Sequence, residues 1–364
     1  MRAAVILAGG SGTRLWPMST GATPKQLIPF IAGKSLLSLA WERLDGLVDP
    51  GRRWVCAGDS HREAVLAALP ALGSAHYLGE PVGRDTLTAL ALSAAVIARE
   101  DPEAVIGVFT ADQLIGPAED FRKIVAQGYA EAEQGGQVLV TFGISPTRPA
   151  TGYGYLRLGE KVHGESRLVA EFKEKPDGAT AEKWVSEGPA KFLWNSGMFV
   201  WKAGVFLDCV RRYEPGTYDG VERIAREWGT ARFPATIAAS YPAMRKVSVD
   251  FAVMEPASRD PRVKVVAVPM AISWTDIGSW NAFAEICPRD ESGNAIAADK
   301  SLLVDCAGSL VASSDPGHLV AVLGCDDLVI VHTPSATLVC RKDKSEDLKR
   351  LYALAAERFG PPYV

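Results

Sequence analysis

The sequence predicts an α/β fold, in which a mixed, mostly parallel sheet is covered by helices and is followed by a small β-rich domain. Over the first 150 residues, short apolar runs alternate with helical patterns, which is typical of a parallel sheet with helices on its faces. After about residue 290, short β runs punctuated by turn residues replace that alternation. We therefore expect two domains, residues 1–287 and residues 288–364.

The first part of the chain supplies the strands and helices of the predicted sheet. Buried strands are predicted by the apolar runs AAVILA, RRWVCAG, AVIGVFTAD and QVLVTFGI. Helices are predicted over SLLSLAWERLDGLV, SHREAVLAAL, TLTALALSAAVIARE and AEDFRKIVAQGYAEAEQ, the third of them apolar nearly all round and therefore buried. Residues 150–285 are more irregular. In such sheets ligands bind at the carboxyl ends of the strands, where a glycine-rich loop and Asp112 both fall.

The last part of the chain predicts a short β solenoid. Its β runs, SLLVDCAGSLVASSDPGHLVAVLGCDDLVIVHTPSATLVCRK, are interrupted by Gly, Asp, Pro and Ser. The segment SEDLKRLYALAAERF predicts a closing helix. No strict internal repeat is visible in the sequence.

Composition excludes several classes of function. A net charge of −4 offers no electrostatic footprint for nucleic acid. No run of about 18 apolar residues predicts a membrane span, and the first apolar run stops at Gly9, too early for a signal peptide. The 6 cysteines are scattered and form no C-x-x-C pair, which favours a reducing cytoplasm. The 5 histidines show no ligand spacing, so zinc is not expected.

The loop GGSGTR after the first strand is a candidate phosphate site. Gly9, Gly10 and Gly12 allow positive φ angles and a close backbone approach, so that successive N–H groups form a nest for an anion. Arg14 and Lys25 add a guanidinium fork and a point charge. The loop matches neither the P-loop nor the dinucleotide fingerprint. For the glycines alone, a tight turn between a strand and a helix is an equal alternative.

The segment LAGGSGTRLWPMSTGATPKQLIPF resembles the signature of the sugar-phosphate nucleotidyltransferases, and its RLWP and PKQ elements resemble the mannose-1-phosphate guanylyltransferase branch. The likeness continues in order through GEPVGRDT, TADQLI, TGYGYL, EFKEKP, FLWNSGMFVW, SVDFAVME and WTDIGSW. It implies a Rossmann-like nucleotidyltransferase core and a left-handed β-helix-like C-terminal domain. The length suggests a chain without the isomerase domain that some longer relatives carry.

The resemblance implies transfer of GMP from GTP to α-D-mannose 1-phosphate, which gives GDP-mannose and pyrophosphate. The sugar phosphate attacks the α-phosphorus directly, and because it is already an anion, no Ser, Cys or His nucleophile is required. Mg²⁺ is the implied cofactor, held by Asp112 and Asp276 in two family motifs. Arg14 would neutralise the departing pyrophosphate, and Lys25 would contact the α-phosphate. These four are the expected catalytic residues.

The same resemblance implies two sets of binding residues. The nucleotide-binding set is Leu7, Ala8, Gly9, Gly10, Gly12, Thr13, Arg14, Lys25, Glu80, Arg84, Asp85 and Thr86. The sugar-phosphate set is Tyr153, Gly154, Glu174, Lys175, Asn195 and Gly197.

Some members of these sets, and three residues outside them, have a specific expected role, an alternative role or a departure from the family pattern. Glu80 would accept hydrogen bonds from guanine N1–H and N2–H₂. Asp85 stands where the family more often has Asn, and Asp85 or Thr86 could instead cap the following helix. Asp250 either supports the site or caps a helix. Gln113 replaces a usual His, and Ser335 stands at a commonly acidic position.

Two kinds of alternative to this function remain: the same nucleotidyl transfer with other substrates, and a protein that does not catalyse it. The chain could use another hexose 1-phosphate or a heptose 1-phosphate, or accept several nucleotides, because discrimination between epimers depends on one or two contacts. A catalytically silent regulatory relative should lack a metal aspartate, Arg14 or Lys25, and all four are present. The expected partners are small molecules, with no nucleic acid and no membrane, and a homodimer is expected in the cytoplasm.

Overall fold

The structure is a computed structural model, and it describes residues 1–10, 12–31, 33–361 and 363–364. Ser11 of the glycine-rich loop lies outside the described residues. The chain forms two compact units that are not continuous in sequence. The core unit comprises Met1–Gly9, Ala40–Ala111 and Ile115–Trp274, and the β-coil unit comprises Gly10–Leu39, Asp112–Leu114 and Thr275–Val364. The expected domain boundary between residues 287 and 288 stays a prediction.

Strands run through the whole chain. In order they are β1 (Arg2–Leu7), β2 (Arg53–Gly58), β3 (Tyr77–Glu80), β4 (Val105–Thr110), β5 (Gln113–Gly116), β6 (Val138–Ile144), β7 (Tyr155–Lys161), β8 (Arg167–Lys173), β9 (Phe192–Lys202), β10 (Lys264–Pro269), β11 (Ser273–Asp276), β12 (Ala295–Ala297), β13 (Ser301–Val304), β14 (Leu310–Ser313), β15 (Val320–Leu323), β16 (Leu328–His332) and β17 (Thr337–Arg341).

Helices separate most of the strands of the core unit and flank the short strands of the β-coil unit. They are α1 (Leu36–Glu42), α2 (Arg62–Ala68), α3 (Asp85–Glu100), α4 (Ala118–Glu133), α5 (Gly178–Glu187), α6 (Ala203–Tyr213), α7 (Pro215–Arg226), α8 (Phe233–Ser240), α9 (Glu255–Ala257), α10 (Trp280–Ile286) and α11 (Leu348–Phe359). A π-helical turn, Asp250–Met254, leads into α9.

The core unit is built on one sheet of order β3-β2-β1-β4-β9-β6-β10-β8-β7. Strands β1 to β4 are mutually parallel, and β6 is parallel to β10. Strand β9 runs antiparallel to β4, β6 and β7, and β8 runs antiparallel to β7 and β10. The other strands therefore share one direction, which confirms the predicted mixed, mostly parallel sheet.

Helix α3 is buried over most of its length, as its sequence pattern predicts. Every residue from Leu87 to Ile97 is buried, as expected for a helix that is apolar nearly all round. Its side chains belong to a large apolar cluster with β1, β4, β9, α6 and α7. Packing on this scale keeps the loops at the strand ends on a rigid scaffold.

The β-coil unit stacks short parallel strands in two ladders. One ladder pairs Ser301 with Val320 and the other pairs Leu310 with Val329, so both join residues 19 positions apart. Asp305 and Gly324, one such step apart, have φ angles of 53° and 66°, left-handed values that Asp and Gly tolerate best. The sequence hides this repeat because the register is kept by turn geometry and not by identical residues. The unit confirms the predicted small C-terminal β structure.

The described residues of the β-coil unit form two apolar clusters. One lies between its short strands, and the other packs its helices against the strands. Trp280 on α10 is fully buried in that second cluster, and its indole N–H donates to the Trp16 carbonyl across 3.0 Å. Among the described residues, every helix is too short or too polar to span a bilayer.

Candidate active site

The glycine-rich loop follows β1, and its described glycines adopt backbone angles suited to a tight loop. The Ala8 N–H donates to the Cys56 carbonyl across 2.9 Å. Gly10 and Gly12 have φ angles of 100° and 57°. A Cβ atom at Gly12 would overlap the Ser19 hydroxyl and lie 3.0 Å from Lys25 Cβ. Gly12 is therefore required both by its backbone angle and by the close approach of Lys25.

Lys25 and Asp112 form a partly buried ion pair within the β-coil unit. Lys25 is 8% exposed, and its Nζ lies 3.0 Å from Asp112 Oδ2. The same ammonium donates to the Ile277 carbonyl across 3.4 Å, and the Ile277 N–H donates to the Asp112 carbonyl across 3.1 Å. These contacts hold the segment after β11 against Asp112, although the two lie far apart in sequence.

Asp276 completes this arrangement. Burial, followed by the charge on Asp112, raises the pKa of Asp276 to about 6, while Lys25 and Arg14 act to lower this pKa. A Cβ atom at Gly278 would lie 3.3 Å from Arg14 Nη2 and 3.6 Å from the Asp276 carboxylate oxygens. All four residues expected to be catalytic therefore lie together, and we call Arg14, Lys25, Asp112 and Asp276 the acid–cation cluster.

The acid–cation cluster fits a divalent metal ion. Carboxylate oxygens are the ligands that Mg²⁺ prefers, and it commonly takes one or two from the protein and the rest from phosphates and water. The raised pKa of Asp276 means that its two neighbouring cations do not fully offset burial and the charge on Asp112. A divalent cation between the two carboxyl groups would offset both.

Arg14 also pairs with Glu346, where its Nη1 lies 3.2 Å from the carboxylate. The Arg14 side chain is 41% exposed and that of Glu346 is 55% exposed. An exposed pair of this kind contributes only about 0–1 kcal/mol to stability. Arg14 is therefore free to exchange this carboxylate for a phosphate at little cost.

A second group of predicted residues lies in the core unit around the Asn195 amide. The Thr141 hydroxyl donates to Asn195 Oδ1 across 2.7 Å, and Asn195 Nδ2 donates to Asp250 Oδ1 across 2.8 Å. Both ends of the amide are thereby fixed. Burial, followed by the charge on Glu174, raises the pKa of Asp250 to about 7.

Glu174 and Gly154 lie beside that amide. The Glu174 side chain is buried, and burial raises its pKa, while the Lys175 ammonium 3.3 Å away lowers it. A Cβ atom at Gly154 would lie 2.6 Å from Glu174 Oε2 and 3.3 Å from Asn195 Cβ. The Asn195 N–H donates to the Gly154 carbonyl across 2.8 Å. We call Gly154, Glu174, Lys175 and Asn195 the Asn195 group.

Two further residues of the predicted sugar set flank this group. The Tyr153 ring packs edge-on against Trp194 and Trp274, with centroids 5.2 Å and 5.5 Å apart. Gly197, two residues beyond Asn195 on β9, has a φ angle of 74°. The tryptophans thus pack against a predicted sugar-binding side chain.

Glu80, the expected reader of guanine, already accepts hydrogen bonds. The buried Tyr241 hydroxyl donates to Glu80 Oε1 across 2.6 Å, and the Arg84 backbone N–H also donates to this carboxylate. Burial nevertheless raises the pKa of Glu80. A guanine would have to use the remaining lone pairs of Glu80, and its role stays a prediction.

The neighbouring residues Arg84, Asp85 and Thr86 begin α3. Asp85 has a φ of 63°, a left-handed angle that Asn and Asp tolerate, and its Oδ1 accepts from the Thr86 N–H across 2.8 Å. The Thr86 hydroxyl accepts from the Val249 N–H across 2.9 Å. Arg84 donates to the Pro242 carbonyl. These residues link α3 to the segment before the π-helical turn.

Sequence reasoning missed Thr141 and Tyr241 and left Asp250 open. Thr141 had a usable signal, since it is a polar residue within the apolar run QVLVTFGI and a buried hydroxyl requires a partner. Tyr241 had no such signal, because its contact with Glu80 joins residues 161 positions apart. Asp250 is the first residue of the π-helical turn, whose cap is Val249, so it does not cap that turn. Its carboxylate accepts from Asn195, which is the contact expected of a supporting residue.

Two family models match the chain. The model described as nucleotidyl transferase matches residues 3–293. The model described as MannoseP isomerase/GMP-like beta-helix domain matches residues 299–352.

Relatives match over most of the chain. The mannose-1-phosphate guanylyltransferase of Escherichia coli (strain K12) is 35% identical over 358 residues, 95% of this chain and 72% of that protein. The xanthan biosynthesis protein XanB of Xanthomonas campestris pv. campestris (strain ATCC 33913) is 35% identical over 351 residues, with the same shares. A crystal structure from Thermus thermophilus, described as a mannose-1-phosphate geranyltransferase, matches with a TM-score of 0.84 and 30% identity, over 97% of this chain and 98% of that one.

Proposed function

The chain belongs to the nucleotidyl transferase family and is a sugar-phosphate nucleotidyltransferase, and we propose that it transfers GMP from GTP to α-D-mannose 1-phosphate. The products are GDP-mannose and pyrophosphate. Support for the choice of substrates comes from the name of the relative in Escherichia coli and its 35% identity over 95% of this chain.

The observation that carries the proposed chemistry is the acid–cation cluster. A phosphate oxygen of the sugar phosphate attacks the α-phosphorus of GTP, the bond from that phosphorus to the bridging oxygen breaks, and pyrophosphate leaves with the bond electrons. Two anions must approach each other, so catalysis consists of positioning and charge neutralisation. Lys25 would contact the α-phosphate, and the exposed Arg14 would leave Glu346 to bind the departing pyrophosphate.

Asp112 and Asp276 would hold Mg²⁺, since members of the family generally use a divalent metal ion and the two carboxyl groups fit one. When bound, this ion supplies positive charge to the phosphate oxygens on which negative charge develops. Lys25 pairs with Asp112 across 3.0 Å and so orients its carboxyl group.

The Asn195 group would bind the sugar phosphate. Glu174 and Asn195 offer an acceptor and an amide to the hydroxyls, as hydroxyl recognition requires. Lys175 is more than half exposed, so its ammonium is available to the phosphate. Tyr153 and Gly197 would border the sugar. Glu80 would select guanine, because adenine lacks the N1–H and N2–H₂ donors.

The proposal is tested by following pyrophosphate release from the purified protein with Mg²⁺, mannose 1-phosphate and each of the four ribonucleoside triphosphates. Release with GTP alone is the expected result. Release with several triphosphates would keep the reaction and overturn the role of Glu80. If no triphosphate reacts, other hexose and heptose 1-phosphates are tried with the same four triphosphates. Failure with all of them would contradict an enzymatic role and favour a regulatory relative.

A further inference from the structure

A group of three side chains that the reaction does not use lies in the β-coil unit. Asp315, His318 and His332 each offer one ligand atom, and these atoms all lie within 4.8 Å of one another. The two imidazole rings stack with centroids 3.6 Å apart and planes at 15°. We propose that these residues form a binding site for a divalent transition-metal ion, with Zn²⁺ as the type case. This site is separate in its residues and in its chemistry from the proposed Mg²⁺ site.

The stacking of the β-coil unit brings the three residues together. Asp315 and His318 lie in the turn after β14, and His332 ends β16, the strand that pairs with β14. The Ser314 N–H donates to the His332 carbonyl across 3.0 Å, which fixes the turn to the strand end. The histidines show no ligand spacing in the sequence because the ligands come from successive coils.

Both Asp315 and His332 are held from one side. The Gly317 N–H donates to Asp315 Oδ1 across 2.8 Å, which leaves the second carboxylate oxygen to an ion. His332 Nδ1 lies 3.0 Å from the Thr337 hydroxyl, which leaves Nε2 as the ligand atom. Metal-bound histidines are commonly held in this way, with the other ring nitrogen on a fixed hydrogen-bond partner.

The donor set selects the class of ion. Two imidazoles and one carboxylate favour Zn²⁺ and its transition-metal neighbours, whereas Mg²⁺ prefers oxygen ligands alone. Three protein ligands leave a fourth tetrahedral position for water. Bonds of about 2.0–2.1 Å in a tetrahedral site place the ligand atoms roughly 3.3 Å apart. The ion must also lie near the plane of each imidazole, so one ring has to rotate out of the stack on binding. The exposed side chain of His318 can make that adjustment.

The test is a calorimetric titration of the chelator-treated, reduced full chain with Zn²⁺ in excess Mg²⁺. We expect one Zn²⁺ to bind in a step that His318→Gln weakens by roughly tenfold or more, because a ligand is lost. His61→Gln, a histidine outside the group, should bind as the wild type does. Zn²⁺ should also raise the thermal unfolding temperature of the wild type more than that of His318→Gln.

Two results would overturn the site. One is the absence of a Zn²⁺ step in the wild type. The other is equal binding by the wild type and His318→Gln, which would assign the ion to the thiols Cys306, Cys325 and Cys340 or to the acid–cation cluster. His318 is exposed, so its replacement should leave the fold intact, and His332→Gln provides a second loss of a ligand. Neither readout involves nucleotidyl transfer, so failure here leaves the proposed function untouched.

Discussion

The Asn195 amide is held between two side chains, with its nitrogen donating to Asp250 across 2.8 Å and its oxygen accepting from Thr141 across 2.7 Å. Asn195 is predicted to bind the sugar, so Asp250 and Thr141 decide which way its amide faces. An amide without these partners could flip and exchange its donor and acceptor. Asp250 is accordingly a positioning residue for the proposed substrate.

Replacing Asp250 should change how the free energy of unfolding depends on pH. The pKa of Asp250 rises from 3.8 to about 7 on folding. Between these values the folded state holds a proton that the unfolded chain lacks, so this group lowers stability as pH rises through that range. Asp250→Asn keeps an acceptor for Asn195 and removes the titration. In urea unfolding, the free energy of unfolding of the variant should therefore rise relative to that of the wild type between about pH 4 and pH 7.

The exposed Asp219 on α7 provides the matched control, since Asp219→Asn removes an acid without touching Asn195. Its unfolding free energy should follow the wild type across the same pH range. Parallel curves for Asp250→Asn and the wild type would contradict the raised pKa.

Kinetics should separate positioning by Asp250 from a purely structural role. Asp250→Ala removes the acceptor of the Asn195 amide, and KM for the sugar phosphate should rise about tenfold while kcat changes less. Asp250→Asn should recover most of the loss, because it restores the acceptor. An equal fall in kcat for both variants, with KM unchanged, would argue against positioning.

Gly154 should be intolerant of a side chain, whereas its neighbour Gly152 should not. A Cβ atom at Gly154 would lie 2.6 Å from Glu174 Oε2, and one at Gly152 would meet nothing within 4 Å. Gly154→Ala should displace Glu174, raise KM for the sugar phosphate and cost about 1–3 kcal/mol of stability through overpacking. Gly152→Ala should leave KM and the unfolding midpoint unchanged. Equal behaviour of the two variants would remove the basis for this contact.

The fold class followed from the sequence because alternating strand and helix patterns are local properties. Helix α1 shows where that reasoning fails, since the pattern SLLSLAWERLDGLV predicts a long helix and the structure ends it at Glu42. The buried Arg53 guanidinium donates hydrogen bonds to the Trp41, Leu44 and Val48 carbonyls. No pattern within the helix could reveal a partner on β2.

The residues of the candidate site could be predicted from the sequence, whereas the contacts that bring them together could not. Arg14, Lys25, Asp112 and Asp276 stand in separate motifs, and the resemblance named all four. Their grouping depends on backbone bonds such as that from Ile277 to Asp112, which only the folded chain supplies. The position of β9 between β4 and β6 is likewise set by long-range pairing.

Replacing Lys25 and replacing Arg14 should both reduce turnover, but the two replacements should differ in their effect on the free energy of unfolding. Lys25→Met leaves Asp112 without its buried partner and should cost about 1–3 kcal/mol of unfolding free energy. Arg14→Ala breaks only an exposed pair and should cost at most about 1 kcal/mol. Each should lower kcat by about 100-fold if it neutralises phosphate charge in the transition state. The control Lys300→Met removes an exposed lysine of the same unit. Normal turnover in either variant would remove it from the proposed chemistry.

Mg²⁺ should stabilise the protein through Asp112 and Asp276. The two carboxyl groups repel each other, so an ion between them should raise the unfolding free energy by about 2.7 kcal/mol when it is present at 100 times its Kd. Asp276→Asn removes one ligand and one of the two like charges. The metal-free variant should therefore match or exceed the stability of the metal-free wild type, while its response to Mg²⁺ and its turnover are lost. Thermal unfolding of chelator-treated protein with and without Mg²⁺ measures both effects, and the exposed Asp299→Asn is the control. An Mg²⁺ response that persists in Asp276→Asn would place the ion elsewhere.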